Sequence, residues 1–261
     1  MSVVAPLSNQ WRQCGVEPGD TLLVHSDLRR TLSTARKSGY RLTPDDVLES
    51  FLDAIGPDGT LLLPTFNFDF TSGKPFDIRQ TPSQMGVLTE AGRHHAGSVH
   101  TGHPIYSLAA IGARAALFAG MNNRSAFADD SPFGLLRRLE GRISALDLDE
   151  HDSMTFYHHV EEVRRVPYRY FKDFTGTYID GDGTVETRTY TLYVRDLERG
   201  VVGLGNPAAE MMWAQGLYRG ERPGVGAGLR TVTAVQMYDF LSGLIDDGRA
   251  LGTMYGIEPP A

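Results

Sequence analysis

The segment TLLVHSDLRRTLSTARKSGYRLTPDDVLESFLDAIGPDGTLLLP, residues 21–64, holds two short apolar runs with a helical pattern between them. The runs at residues 21–25 and 60–64 have the length and composition of buried strands. Residues 42–55 have helical spacing, and Thr43-Pro44-Asp45-Asp46 supplies a cap, an early proline and first-turn acids. Strand, helix and strand in this order predict a parallel crossover in a layered α/β fold.

The rest of the chain continues this alternation and then changes. Residues 177–194 alternate apolar and polar side chains around Asp180-Gly-Asp-Gly183, which predicts a β-hairpin. Residues 29–40 are expected to form a loop. We therefore predict one domain, residues 1–261, with a central mixed sheet and an added β-hairpin. The other predicted elements are strands at 106–111 and 142–148 and helices at 84–95, 132–139, 208–215 and 232–245.

Composition limits the function classes. The chain has 261 residues, 41% of them hydrophobic, and a net charge of −7, so a packed core is expected and nucleic acid is a poor partner. The single cysteine, Cys14, cannot form a disulfide within the chain, which fits a reducing compartment. The sequence shows neither a signal-peptide pattern nor an apolar run near ~20 residues, so we expect no membrane span and a cytoplasmic protein.

A D-x-x-T-x-x-H-x-x-E pattern begins at Asp152 and contains the strongest catalytic candidate, His158. On a helix, Thr155, His158 and Glu162 lie near one line, and an imidazole held by a carboxylate is suited to proton transfer near neutral pH. The competing interpretation is a helix capped by Asp152 that exposes His158 and His159 to solvent.

Other motifs carry weaker signals. His100 and His103 could ligate a metal, and with His158 and His159 they give an alternative function, a metal-dependent hydrolase, although loop histidines are the simpler interpretation. Ser131, between Asp130 and Pro132, is typical of a helix cap rather than of a nucleophile. Residues 223–228 are glycine-rich but lack the Lys-Ser/Thr of a phosphate loop, so a flexible turn is expected.

A local basic group follows the first strand and could hold a phosphate-bearing cofactor or simply be solvated. Its members are Arg29, Arg30, Arg36 and Lys37.

Several segments, in order, resemble the aminoglycoside 3-N-acetyltransferase (antibiotic N-acetyltransferase) family. Each is short, but six in the same order are fairly specific. They are Leu23-Val-His25-Ser26-Asp-Leu28, Gly59-Thr-Leu-Leu-Leu-Pro64-Thr65-Phe66, Met85-Gly86-Val-Leu-Thr-Glu90, His103-Pro104-Ile-Tyr-Ser107, Asp130-Ser131-Pro132-Phe-Gly134 and the Thr155/His158/Glu161 pattern.

The resemblance implies a three-layer α/β/α fold with a mixed sheet, distinct from the Gcn5-related acetyltransferase fold. It also implies acetyl-CoA-dependent transfer to a primary amine, antibiotic resistance, and homodimers in many members. No bound metal is expected, because the His100/His103 pair lacks further ligands in the sequence. His158 would be the base, with Thr155 and Glu161 beside it. The coenzyme A site would include His25, Ser26, Asp27, Leu28, Arg29, Thr65, His103, Pro104, Ser107 and Ser131.

The chemistry of the transfer requires a base, because a protonated amine is not a nucleophile. A neutral imidazole can take the proton, and Thr155 or loop N–H groups can stabilise the negative oxygen of the attacked thioester. We expect direct transfer in a ternary complex, since no serine or cysteine is a credible nucleophile. The family pattern pairs Glu161 with His158, whereas helical geometry favours Glu162 as the partner. We assign the pairing to Glu161, which leaves Glu162 as a candidate for binding a cationic acceptor. The further candidates for that role are Asp69, Glu90 and Asp152.

Two departures from the family pattern bear on the acceptor. Residues 29–40 are longer and more basic than expected, and residues 166–174 are aromatic and basic where polycation-binding members carry acids. Arg169 and Lys172 suit an amino-sugar or phosphorylated amine as well as an aminoglycoside. A non-catalytic module that binds coenzyme A is the remaining alternative.

Overall fold

The computed structural model describes residues 3–153 and 155–258. The helices are α1 Val4–Gln13, α2 Arg29–Lys37, α3 Pro44–Ile55, α4 Val87–His94, α5 Pro132–Arg138, α6 Glu150–Ser153, α7 Thr155–Val163, α8 Asn206–Ala214 and α9 Ala234–Asp246. The strands are β1 Thr21–Ser26, β2 Thr60–Pro64, β3 Phe76–Asp77, β4 Val99–His100, β5 Leu108–Gly112, β6 Arg142–Leu146, β7 Arg169–Ile179, β8 Val185–Arg195, β9 Val201–Gly203, β10 Arg219–Gly220, β11 Leu229–Thr233 and β12 Tyr255–Ile257.

A seven-stranded mixed sheet forms the centre, in the order β10-β11-β6-β1-β2-β5-β4. The three inner strands β6, β1 and β2 are parallel, and the flanking strands β11 and β5 run antiparallel to them. The predicted strand–helix–strand crossover from β1 through α3 to β2 is confirmed. Thr43 caps α3 reciprocally with Asp46, as the sequence signal indicated.

Side chains alternate between the two faces of the sheet because the side-chain period of a strand is two. Leu22 and Val24 pack with α1 and α3, whereas Leu23, between them, packs into the core that holds α5, α7 and α9. Helices thus cover both faces, which confirms the three-layer α/β/α fold with a mixed sheet.

The β-hairpin is also confirmed, but it is longer than predicted. β7 and β8 pair over eleven residues each, from Arg169↔Arg195 to Ile179↔Val185, and β3 adds a short parallel strand. The basic and aromatic residues at 169–174 therefore belong to β7. Two-stranded pairing of β9 with β12 completes the sheets.

Two sequence-based expectations were wrong. Residues 29–40 do not form a loop, because Arg29–Lys37 is helix α2; none of its side chains is buried, so no apolar stripe marked it in the sequence. A helix was predicted from residue 232, but β11 extends to Thr233, which then caps α9 through Gln236.

Charges in α2 are partly neutralised. Arg29 pairs with Asp27 and Arg30 with Asp147, while Arg36 and Lys37 lie in the last turn, where a helix favours cations. Across residues 3–153 and 155–258, no helix combines the length and apolar character needed to cross a bilayer.

Candidate active site

The carboxyl ends of the parallel strands β1, β2 and β6 open onto one edge of the sheet, where ligands bind in open α/β folds. The segments that follow are residues 27–28, Thr65 and residues 147–149, and the last of these leads into α6 and α7. Thr155 begins α7, and His158 lies one turn further on the same side.

His158, Glu161 and Arg169 form a buried series of polar contacts. The Nδ1 atom of His158 lies 3.0 Å from Oε2 of Glu161, and Nε of Arg169 lies 2.8 Å from the same oxygen. Because an ionised carboxylate only accepts hydrogen bonds, Nδ1 of His158 carries the proton and Nε2 holds the lone pair. The structure therefore pairs His158 with Glu161, as the family pattern indicated, and not with Glu162.

The electrostatics of this series keep His158 neutral and Glu161 ionised. Burial lowers the pKa of His158, the charge of Arg169 lowers it further, and Glu161 only partly opposes them. Burial raises the pKa of Glu161, but Arg169 and His158 outweigh that effect, so the pKa of this carboxyl is lowered overall. A neutral imidazole with an available lone pair can accept a proton.

His158 lines a cleft of about 380 Å³ between α7 and the hairpin. The His158 side chain is 22% exposed, whereas Glu161 is fully buried beneath it. The other lining residues are Tyr106, Phe127, His151, Arg169, Leu192, Tyr193, Val194, Arg195, Leu197 and Gly203. The imidazole thus opens toward a space of the size that small ligands occupy.

A series of aromatic contacts joins this cleft to the loop after β1. The ring centroid of Phe127 lies 5.3 Å from that of His158 and 4.6 Å from that of Tyr106. The centroids of Tyr106 and Phe66 are in turn 4.9 Å apart. The ring of His25 is 6.4 Å from Phe66. His25 is therefore connected to His158 through three intervening aromatic rings.

Three buried imidazoles near this series have an Nε2 atom without a protein partner in the described residues: those of His25, His103 and His159. Nδ1 of His103 accepts hydrogen bonds from the N–H groups of Ile105 and Tyr106, so its Nε2 carries the proton. Burial lowers the pKa of His25 to about 4 and that of His103 to about 3. A buried donor of this kind is suited to a polar ligand atom or a water molecule.

The other residues predicted for the coenzyme have structural contacts. Thr65 Oγ1 lies 2.9 Å from Ser107 Oγ, which ties the end of β2 to the start of β5. Ser131 is fully buried and caps α5 by accepting from the N–H of Gly134, as predicted. Ser26 is the last residue of β1, and Asp27, which follows it, pairs with Arg29. Leu28 is buried, and so is Pro104 in the loop before β5.

None of the carboxylates predicted to bind a cationic acceptor lines the cleft. Asp69 contacts Lys74, Glu90 pairs with Arg93, and Glu162 is buried and accepts from Ser125. Asp152 lies inside α6, which begins at Glu150, and so does not occupy the capping position that the alternative interpretation assigned to it. His159 is also buried, where it contacts the carbonyl of Phe127, rather than exposed.

The four histidines of the hydrolase hypothesis are not brought together. His100 Nε2 contacts the carbonyl of Arg93, and His103, His158 and His159 each have different neighbours. Within residues 3–153 and 155–258, no group of three or more His, Cys, Asp or Glu side chains could hold a metal ion.

A second buried network was not predicted. Arg230 in β11 pairs with Glu150 of α6 at 2.9 Å, and the hydroxyls of Tyr218 and Ser153 complete the contacts. Both charged side chains are 3% exposed. This network fixes α6, and through it the start of α7, against the sheet. Glu150 and Arg230 are 80 residues apart in sequence, so no local spacing signals their contact.

Residues 223–228 lie at the same edge of the sheet and lead into β11, not directly into α9. Asp147 accepts from the N–H of Gly224 at 2.9 Å, and Arg30 donates to the carbonyl of Gly226 at 2.9 Å. Gly228 has φ +70°, and a Cβ there would collide with Asp147 and Arg30. The glycine-rich segment is thus held by α2 and the end of β6.

A family model described as aminoglycoside 3-N-acetyltransferase matches residues 23–202. Aminoglycoside N(3)-acetyltransferase IV from Salmonella sp is 29% identical over 169 residues, and aminoglycoside N(3)-acetyltransferase VIII from Streptomyces fradiae is 27% identical over 181 residues. These matches cover 63% and 60% of this chain but only 60% and 59% of the two relatives. The chain thus spans less than two thirds of the length of the curated relatives it matches.

Solved structures resemble the chain over nearly all of its length. The crystal structure of aminoglycoside acetyltransferase AAC(3)-Xa superposes with a TM-score of 0.77 at 28% identity, covering 93% of this chain and 92% of that one. The complex of AAC-IIIb with CoASH gives a TM-score of 0.79 at 22% identity over 98% of both chains, which shows the shared fold.

Proposed function

The chain belongs to the aminoglycoside 3-N-acetyltransferase family, and from that premise we propose that it transfers an acetyl group from acetyl-CoA to a primary amine. The acceptor is an aminoglycoside or a related amino-sugar compound. The observation that carries the proposal is the neutral, carboxylate-supported imidazole of His158 in the wall of an open cleft. The similar proteins are named as N(3)-acetyltransferases and one was solved with CoASH, which supports acetyl-CoA as the donor.

In the proposed reaction, Nε2 of His158 takes the proton from the acceptor ammonium, directly or through water. Nε2 passes that proton to solvent, and the neutral amine nitrogen attacks the thioester carbon. The nitrogen then loses a second proton to Nε2, the C–S bond breaks, and Nε2 delivers this second proton to the departing sulfur, so each turnover releases one proton to solvent. Glu161 holds the imidazole in the required tautomer and Arg169 holds Glu161. Thr155, one turn before His158, is the candidate donor to the thioester oxygen.

Coenzyme A would lie along the edge formed by the ends of β1, β2 and β5. His25, His103 and the neighbouring positions Ser26, Thr65 and Ser107 are the proposed contacts. The unpartnered Nε2 atoms of His25 and His103 fit a ligand with polar groups, such as the amides of a pantetheine arm. Residues 1–261 acting as one domain, a homodimer and a cytoplasmic location are further parts of the proposal.

The test is release of free thiol from acetyl-CoA in the presence of a panel of aminoglycosides and amino sugars. His158→Asn should lower kcat/KM about 10²- to 10⁴-fold, as expected for loss of a general base. His94→Asn is the matched control, because His94 is exposed at the end of α4 and does not line the cleft.

Two outcomes would contradict the proposal. Absence of thiol release with every amine, together with thermal stabilisation by coenzyme A, would favour the non-catalytic module. An acetyl group trapped on the protein during turnover would contradict direct transfer, since the proposed mechanism forms no covalent enzyme intermediate.

A further inference from the structure

The cleft beside His158 is basic, although the chain as a whole is acidic. Arg169, Arg195 and His151 line it with His158, and no Asp or Glu side chain of the described residues is among its lining. The positive charge of Arg169 is balanced by the carboxylate of Glu161, which lies 2.8 Å from its guanidinium. The positive charge that remains for a ligand is that of Arg195.

Arg195 stands at the end of β8, opposite Arg169 in the hairpin register. In the part of the chain that the structure describes, no hydrogen bond or ion pair joins its guanidinium to another residue. The adjacent carboxylate, Asp196, faces Arg199 instead, with its Oδ1 accepting from the Arg199 N–H. The guanidinium is near enough to the imidazole for its charge to act on His158.

An unpaired guanidinium in a ligand cleft is suited to a carboxylate or phosphate, which it can bind through two parallel hydrogen bonds. The same charge repels a polycation, and the carboxylates that could offset it are engaged elsewhere with Lys74, Arg93 and Ser125. A nearby cation also favours the neutral form of an amine, which is the form that attacks a thioester.

We propose that Arg195 binds an anionic group of the acceptor, so that the preferred substrate is a primary amine bearing a carboxylate or phosphate rather than a polycationic amine. This inference rests on the proposed acetyl transfer. Of the two acceptor classes named there, it selects the related amino-sugar compounds that carry an anionic group over the polycationic aminoglycosides. Arg195 is a specificity residue for the acceptor, whereas His158 remains the base.

The experiment measures thiol release from acetyl-CoA with acceptors that differ in charge. The matched sets are glucosamine 6-phosphate against glucosamine, O-phosphoethanolamine against ethanolamine, and β-alanine against 1,3-diaminopropane, with gentamicin as the polycation. The expected kcat/KM is about 10- to 100-fold higher for the anionic member of at least one set, as a charge-assisted contact provides. The phosphate and carboxylate sets identify which anion is preferred.

Arg195→Gln should remove that preference by raising KM for the anionic acceptor, with little change for its uncharged partner, and Arg195→Glu should shift it toward the diamine. Arg199→Gln is the matched control, because Arg199 is 60% exposed and outside the cleft. Denaturation curves of both variants establish that they are folded.

The outcomes separate the two proposals. Equal or faster turnover of gentamicin and the diamine would overturn the anionic acceptor and leave acetyl transfer intact. A rise in KM for acetyl-CoA alone in Arg195→Gln would assign Arg195 to the donor and also overturn it. If none of the acceptors, whatever its charge, supports thiol release, the proposed acetyl transfer is wrong and the inference about Arg195 falls with it.

Discussion

Replacing Glu161 by glutamine tests the structure most directly, because the change removes one charge and almost no volume. Glu161 is fully buried between His158 and Arg169, whose side chain is 5% exposed. Loss of the carboxylate leaves the guanidinium buried without its counter-ion. Removing one partner of a buried ion pair costs about 3–5 kcal/mol, against about 1 kcal/mol or less for an exposed pair. We therefore expect Glu161→Gln to lower the free energy of unfolding by about 3–5 kcal/mol.

The same substitution should affect the rate and its pH dependence. The amide oxygen of glutamine can still accept from Nδ1 of His158, but the charge-assisted part of that bond, about 1.5–3 kcal/mol, is lost. At about 1.4 kcal/mol per tenfold change, kcat/KM should fall about 10- to 100-fold. Glu161 raises the pKa of His158 and Arg169 lowers it, so without Glu161 this pKa falls further and the acidic limb of the pH–rate profile moves to lower pH.

Urea denaturation and thiol-release kinetics measure the two effects. The double variant Glu161→Gln/Arg169→Gln is the control, since removal of the unpaired cation should restore part of the lost stability. A destabilisation under about 1 kcal/mol, or an acidic limb that stays in place or moves to higher pH, would refute the reasoning.

Three further predictions concern stability. Burial lowers the pKa of His25 to about 4 and of His103 to about 3, so between pH 6.5 and about pH 4 the unfolded state binds more protons than the folded state. The free energy of unfolding should therefore fall by about 1.4 kcal/mol for each unit of falling pH and each histidine. Urea denaturation at several pH values measures this slope, and an unchanged slope in His103→Asn would contradict the prediction. Glu150→Gln should cost about 3–5 kcal/mol by leaving Arg230 unpaired, and Glu150→Leu/Arg230→Met should recover most of that loss in the same assay. Ser131→Ala should remove the cap of α5 and lower the thermal midpoint by the equivalent of about 1 kcal/mol, with Ser131→Thr as the variant that retains the hydroxyl.

The sequence predicted the parts of the fold whose signals are local. The helix α3 has its cap, proline and acids within four residues, and the runs that form β1 and β2 are apolar throughout. The helix α2 was missed because it buries no side chain, and its polar composition is equally typical of a loop. The boundary between β11 and α9 was missed because Val232 is apolar in either interpretation.

The candidate site shows the same limit. The local D-x-x-T-x-x-H-x-x-E pattern indicated His158, and resemblance to the family indicated Glu161 beside it. Their three-residue spacing made the contact geometrically possible. Arg195 is 37 residues beyond His158 and reaches the cleft only because β8 pairs with β7 along its length. Position in the hairpin, rather than spacing from His158, brings that charge to the base, so only the fold could reveal it.

The clamping of Glu161 has a consequence for the route of the hydrogen ion. A carboxylate held by a guanidinium on one side and an imidazole N–H on the other has little tendency to be protonated, so it cannot relay the hydrogen ion inward. As the proposed base, His158 would receive and release the proton through Nε2, because Nδ1 contacts Glu161. The imidazole would then return to its neutral form in each turnover by giving its proton to the sulfur of the departing coenzyme A. No proton pathway through the protein interior would be needed.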